Sequence, residues 1–317
     1  MIILKDFNRL DNRFKNIVIT IGNFDGLHIG HKKVIKAVKE DAVARSGTSA
    51  VLTFDPHPLK VLRPDREIKL ITPFEEKARL IEEAGIDLLL CLTFDRELAM
   101  MEAKDFIRDI IVGRIGVVKV IVGHNYTFGR GRKGNVELLR REGRRYGFTT
   151  KVVRNKTLSG KVVSSTGIRE LISKGKIYEA SLLLGRAYRI QGRVIKGKGR
   201  GARFLNIPTA NIETEYELIP AEGVYAVQVD LDGLLYGGVM NIGKNPTFGE
   251  NQLSLEVHIL DFSRDILGKK ISVYFLKHLR NERRFPDVDS LKEAIIHDID
   301  SARETLKSVV LQNQVRD

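Results

Sequence analysis

Ile17-Val18-Ile19-Thr20-Ile21-Gly22-Asn23-Phe24-Asp25-Gly26-Leu27-His28-Ile29-Gly30-His31 reads as a buried strand, a glycine-rich turn and the start of a helix that the pattern extends from about His31 to Arg45. Unpaired backbone N–H groups and the helix dipole favour anions at such a junction. Gly22, Gly26 and Gly30 allow tight turning and close approach of a phosphate. His28 and His31, three residues apart, can donate to phosphate oxygens and stabilise charge that builds there during transfer. The alternative is that each histidine is a surface or capping residue. The combination of strand, glycine turn and His-x-Gly-His favours the functional reading and predicts nucleotidyl transfer.

Working outward, residues 17 to about 155 alternate continuous apolar runs with helical patterns. The runs are Ile17–Ile21, Ala50–Phe54, Leu88–Leu92 and Val117–Val122, and Pro73 to Ala84 repeats apolar residues at helical spacing. Strands apolar on both faces belong to parallel sheets, so this half is expected to be a Rossmann-like α/β domain with a doubly wound parallel sheet. Ligands bind such sheets beyond the carboxyl ends of the strands. After two short helical patterns, Thr166–Ser173 and Ile177–Leu184, the regime changes to strands separated by turns: Tyr188–Ile195, Gly223–Asp230, Leu234–Ile242, Leu253–Leu260 and Lys270–Phe275. These predict an antiparallel barrel or sandwich closed by a helix from about Val288, and they divide the chain into domains at 1–184 and 185–317.

A chain of 317 residues suits two such domains. No apolar run approaches the ~20 residues that span a bilayer, and the N-terminus lacks secretory-signal features, so no membrane association is expected and the cytoplasm is the expected compartment. The single cysteine, Cys91, lies among leucines and reads as a core residue. The net charge of +13 fits nucleic acid, an anionic surface or phosphorylated substrates. The basic stretch Arg140–Arg145 falls on a helical pattern as a solvated face, so nucleic acid is not the expected partner. The oligomeric state is left open between a monomer and a weak oligomer.

Four further segments carry polar chemistry. Phe54-Asp55-Pro56-His57-Pro58 ends the second strand, where ligands bind, and is alternatively an ordinary loop. Gly123-His124-Asn125-Tyr126-Thr127-Phe128-Gly129-Arg130-Gly131-Arg132-Lys133-Gly134 ends a later strand, and its aromatic rings among glycines and cations suit either a planar ring carrying a phosphate or an RNA-contacting loop. Ser164-Ser165-Thr166-Gly167-Ile168-Arg169 offers hydroxyls at a helix start with a cation one turn in, either an N-cap or a phosphate contact. In the second half, Lys196-Gly197-Lys198-Gly199-Arg200-Gly201-Ala202-Arg203 is a hairpin tip or a phosphate loop, though not a Walker loop. Thr209 and Asn211 share a side of an extended segment and could hold Mg²⁺ together with a phosphate oxygen; a proline-led turn is the alternative. On Leu253–Leu260, Ser254, Glu256 and His258 face away from the apolar set Leu253, Leu255, Val257 and Ile259, so Glu256 is either solvated or a proton acceptor.

The blocks Gly-x-Phe-Asp-Gly-x-His-x-Gly-His, Phe-x-Pro-His-Pro and Ser-Ser-Thr-x-x-Arg, in that order, resemble the nucleotidyltransferase domain of the prokaryotic bifunctional riboflavin kinase/FMN adenylyltransferase family. The second half adds Pro-Thr-Ala-Asn, Gly223-Val224-Tyr225, Asn241-Ile242-Gly243, Pro246-Thr247-Phe248, Glu256-Val257-His258 and Arg280-x-Glu282-x-x-Phe285, which resemble its kinase domain. The resemblance implies a six-stranded antiparallel barrel of riboflavin kinase type, ATP and Mg²⁺ as requirements, and riboflavin, FMN and FAD as substrates and products. It implies that His28, His31 and Arg169 act in adenylyl transfer, and that Gly22, Asn23, Phe24, Asp25, Gly30, Ser164, Ser165 and Thr166 bind its ATP. It implies kinase ATP contacts at Gly197, Lys198, Gly199, Arg200, Thr209 and Asn211, the last two also on the metal, with Glu256 as the base. Phe54, His57, Asn125, Tyr126, Arg280 and Glu282 would lie near flavin. His124-Asn125 stands where the family usually has an acidic pair, Asn206-Ile207 replaces Gly-Phe, and Ile266-Leu267-Gly268 lacks the Tyr usually beside that glycine.

Overall fold

The computed structural model describes residues 1–158, 160–197, 207–244 and 253–314, with side chains to residue 308. Two compact units, Met1–Ser165 and Thr166–Asp317, make up the chain. In the first, strands β1 (Ile2–Lys5), β2 (Val18–Ile21), β3 (Ser49–Asp55), β4 (Leu88–Thr93), β5 (Lys119–Gly123) and β6 (Thr149–Val153) form a parallel sheet in the order β1-β4-β3-β2-β5-β6. All residues of β2 are buried, as are Leu88–Leu92 of β4, which accounts for runs without alternation. Cys91 is in that core, and burial pushes its thiol up to about 11.

Helices cover the sheet from both faces. One layer centres on Ile35 and Val38 of helix Ile29–Ala44 with Ile81 of helix Phe74–Glu83; the other on Phe106, Ile107 and Ile111 with Leu139 of helix Val136–Tyr146. The chain winds outward from β2 through β3 to β4, then resumes at β5 on the other side of β2. The crevice beyond the ends of β2 and β5 is therefore the switch point where such sheets bind ligands. Gly22 follows β2 there, and Gly123 ends β5. A short antiparallel ribbon, β7 (Thr157–Leu158) with β8 (Lys161–Val162), follows β6.

The second unit opens with helices Ser165–Ser173, whose first residue belongs to the first unit, and Ile177–Leu184. It then closes a barrel in the order β10-β13-β12-β11-β14-β9, from β9 (Tyr188–Ile195), β10 (Ala210–Glu213), β11 (Gly223–Leu231), β12 (Leu234–Lys244), β13 (Leu253–Ile259) and β14 (Lys270–Arg280). Tyr225, Val227, Met240, Val257 and Phe275 fill its core, and closure leaves no free edge. The helix Val288–Gln314 lies on β11 and β12, with Ala302 against Val224, Ala226 and Val239.

Leu52, wholly buried mid-sheet on β3, makes the first core sensitive to a cavity. Leu52→Ala is expected to destabilise the first unit by about 2–5 kcal/mol, read as a lower urea midpoint for its unfolding transition.

Candidate functional sites

The turn after β2 is held in an unusual shape. Phe24 and Leu27 adopt φ of 50° and 37°, rare for large side chains, on either side of Gly26 at 79°. A Cβ on Gly26 would also overlap Ile71. The buried carboxylate of Asp25 fixes this path by accepting from the N–H groups of Ile71 at 3.0 Å and Thr72 at 3.1 Å. The Thr72 hydroxyl in turn accepts from the Gly26 N–H at 3.1 Å. Asp25, expected among the ATP contacts, thus spends its side chain on the turn itself. The turn leaves the N–H groups of Asn23, Phe24, Ile29 and Gly30 without an acceptor among the described residues.

His28 caps the helix: its Nδ1 accepts from the His31 N–H at 3.2 Å. The capping alternative therefore holds for one ring nitrogen, and in the neutral ring it leaves Nε2–H as the donor. His31 stacks on His28 with centroids 3.6 Å apart and meets Phe24 edge-on. Its Nδ1 is buried and without a partner. Burial, then the neighbouring His28 and Lys77 charges, holds the His31 imidazole well below its usual 6.5, hence neutral. Lys77 is buried under the turn and donates to the Asn23 carbonyl and the Thr53 hydroxyl, both at 3.3 Å.

Around the same crevice, Ser165 donates its hydroxyl to the Asp25 carbonyl at 2.9 Å rather than capping its helix. Ser164 precedes it, and Thr166 and Arg169 lie on the helix Ser165–Ser173 in the second unit. Phe54, next to last on β3, lies edge-on to Phe94; His57 is buried, with Nδ1 capping the short helix Pro58–Leu62. Asn125 is exposed and bonded to His124 at 2.9 Å; Tyr126 stacks on Phe128, and burial pushes its hydroxyl pKa well up.

On the barrel, directly paired residues share a face, so register builds a site. Asn211 of β10 pairs with Glu256 of β13, Glu256 with Asn241 of β12, Asn241 with Val224 of β11, and Val224 with Arg280 of β14. Thr209, Asn241, Glu256, His258, Arg280 and Glu282 line a cavity of about 280 Å³ walled by Ile295 and Ile299 of the last helix. Ser254 donates to the Glu256 carboxylate at 2.9 Å, and the His258 ring N–H donates to the Pro208 carbonyl at 2.8 Å, clipping the Pro-Thr-Ala-Asn segment to β13. Arg280 is engaged by Asp298 of the last helix at 2.8–3.1 Å. Burial and the nearby Glu222 raise the Glu282 carboxyl.

Thr209 also borders a second cavity of about 300 Å³, with Lys196, Gly197, Val257, Phe262 and Leu267. A Cβ on Gly197 would overlap the Asn211 amide, so glycine there admits that side chain beneath the loop. Lys198, Gly199, Arg200, Asn206 and Pro246-Thr247-Phe248 lie outside the described residues. Thr209 and Asn211 supply hard oxygen donors beside a carboxylate, which fits the few protein ligands that a phosphate-borne Mg²⁺ takes.

Residues 10–167 match the FAD synthetase family and residues 184–306 the riboflavin kinase family. The bifunctional riboflavin kinase/FMN adenylyltransferase of Escherichia coli K12 is 38% identical over 288 residues, covering 90% of this chain and 92% of that one. The chain belongs to the bifunctional riboflavin kinase/FMN adenylyltransferase family. Its relative of that name in Bacillus subtilis is also 38% identical, covering 89% of this chain and 90% of that protein. The crystal structure of a macrolide-efflux protein from Streptococcus pneumoniae superposes with a TM-score of 0.88 at 29% identity, covering 96% of this chain and 99% of that one. Among the described residues, no helix is long and apolar enough to cross a membrane.

Sequence reasoning missed Thr72, Lys77 and Asp298, of which only Lys77 left a signal, a cation on the apolar stripe between Phe74 and Ile81. Asn241 was noted within the Asn241-Ile242-Gly243 block but given no place in the site. Because His31 is held neutral in the fold, the unfolded chain binds the extra proton as pH drops below 6.5. Stability is therefore complete above that pH and falls below it until the folded-state value is passed. The urea midpoint of the first unit is expected to drop between pH 7.5 and 5.5, and to drop less in His31→Gln.

Proposed function

We infer that the chain makes FAD in two ATP-dependent steps, phosphorylating riboflavin to FMN in its barrel and adenylylating FMN in its α/β half. We take the α/β domain as residues 1–184 and the barrel domain as 185–317. The observation that carries the first site is the cluster of unpaired donors after β2: the N–H groups of Asn23, Phe24, Ile29 and Gly30 beside the stacked rings of His28 and His31. A phosphate oxygen of FMN attacks the α-phosphorus of ATP in line, a P–O bond forms, and the bond to the bridging oxygen breaks to release pyrophosphate. His28 and His31 stabilise the charge that develops on the phosphates, Ser164, Ser165 and Thr166 contact them, and Arg169 steadies the departing pyrophosphate. Phe54, His57, Asn125 and Tyr126 form the flavin side.

In the barrel, Glu256 accepts the proton of the riboflavin 5′-hydroxyl as its oxygen attacks the γ-phosphorus and ADP departs. Ser254 and the cross-strand row hold that carboxylate in place. Flavin occupies the cavity under the last helix, with Glu282 at its edge, while the adenine of ATP takes the cavity lined by Phe262 and Leu267. Thr209 borders both, which is where a transferred phosphoryl group passes. With Asn211, Thr209 would hold Mg²⁺, which neutralises phosphate charge. These substrates and the lack of a membrane-crossing helix among the described residues suit a cytoplasmic enzyme.

Riboflavin, ATP and Mg²⁺ with purified protein should give FMN and then FAD by chromatography. Glu256→Gln should cut FMN formation on the order of a hundredfold or more while FMN-to-FAD conversion persists, and His28→Ala should do the reverse. Absence of both flavin products from the wild type would refute the assignment.

A further inference from the structure

Lys77 is a buried ammonium whose hydrogen-bond acceptors, the Asn23 carbonyl and the Thr53 hydroxyl, are both neutral. No carboxylate forms an ion pair with it among the described residues. Burying an unpaired charge is costly, and a helix stripe of Phe74, Ala78 and Ile81 would pack an apolar residue at lower cost. Its location explains what offsets that cost. The Asn23 carbonyl it holds belongs to the Asn23–Phe24 peptide, and in a trans peptide C=O and N–H point to opposite sides. The Phe24 N–H thus faces away from the ammonium and has no acceptor among the described residues.

We propose that Lys77 is a positioning residue for adenylyl transfer, its ammonium turning and polarising the Asn23–Phe24 peptide so that the peptide N–H is presented to the ATP phosphates. This rests on reading the turn after β2 as the ATP-phosphate site. A cation on the carbonyl oxygen withdraws charge through the peptide and strengthens its N–H as a donor. The same charge bears on His31, which is faced by His28 from the helix cap and by Lys77 from beneath; Asp25, Asp55 and Cys91 are the groups that face Lys77 in turn. Lys77 thereby favours the neutral imidazole at the site.

The test uses the full-length chain with Lys77→Met and Lys77→Gln, following FMN-to-FAD conversion and the titration of the His31 ring by NMR. Turnover to FAD is expected to fall on the order of 10- to 100-fold in both variants, while riboflavin phosphorylation is unchanged. The His31 titration is expected to move to higher pH in both, because a neighbouring positive charge has gone. Lys77→Gln keeps a donor to the Asn23 carbonyl, so it reads the charge effect should Lys77→Met fail to fold. Wild-type FAD turnover in a folded variant, or lost turnover with an unmoved His31 titration, overturns the proposal, the latter marking a purely structural lysine. His31→Ala with undiminished FAD formation would instead remove the ATP-site reading, and the titration result would stand apart from it.

Discussion

The contact on which the first site depends is a carboxylate turned inward. Asp25 lies in the middle of the turn after β2, yet its oxygens take the backbone N–H groups of Ile71 and Thr72, far along the chain. A buried charge persists only where hydrogen bonds replace its hydration, and charge-assisted bonds to backbone N–H are strong enough to hold Phe24 and Leu27 in left-handed geometry. Two consequences follow from this one contact. It fixes the turn after β2 in a shape where the Leu27 N–H closes back on the Phe24 carbonyl while the Asn23 and Phe24 N–H groups have no acceptor among the described residues. It also anchors the chain just before helix Phe74–Glu83, and thereby sets Lys77 beneath Asn23.

The barrel solves the same problem, gathering polar groups at one place, by register instead of by a tied turn. Closure fixes every strand against two neighbours, so Asn211, Glu256 and Asn241 share a face without any flexible element between them. The apolar partners of that alternation, Val257 and Ile259, fill the interior. The last helix then roofs the outward face, and the pair Arg280–Asp298 pins it. Arg280 therefore shapes the cavity chiefly as a strut, with its Nε and one terminal nitrogen given to Asp298.

Much of this was legible in the sequence, for definable reasons. The buried strands β2 to β5 declare themselves by continuous apolarity, and β13 by strict alternation. The sheet edges do not: Ile2 and Ile3 of β1 are exposed, and β6 mixes exposed Thr149 and Lys151 with Val153. The strand β10 is only four residues long and follows a proline-led segment, so neither period has room to appear. The positions of His28 at the helix start and of Glu256 on the outward face of β13 were readable because motif and alternation are local. Asp25 and Lys77 were not, because one derives its role from residues 71 and 72 and the other from residues 23 and 53. Long-range pairing leaves no periodic trace.

The two residue sets also differ in a way that the nucleophiles explain. An alcohol must lose a proton as it attacks, so the proposed kinase step needs a carboxylate that remains available, and among the described residues Glu256 accepts one side-chain hydrogen bond, from Ser254. The phosphate of FMN is already anionic and needs no base. What its attack requires is relief of charge repulsion between two polyanions, which backbone N–H groups, histidine ring donors and a cation behind them can supply. The one carboxylate in the turn after β2 would oppose that task if it faced the crevice. Its burial against Ile71 and Thr72 instead spends the negative charge on shaping the turn whose donors, on the proposed reading, receive the phosphates.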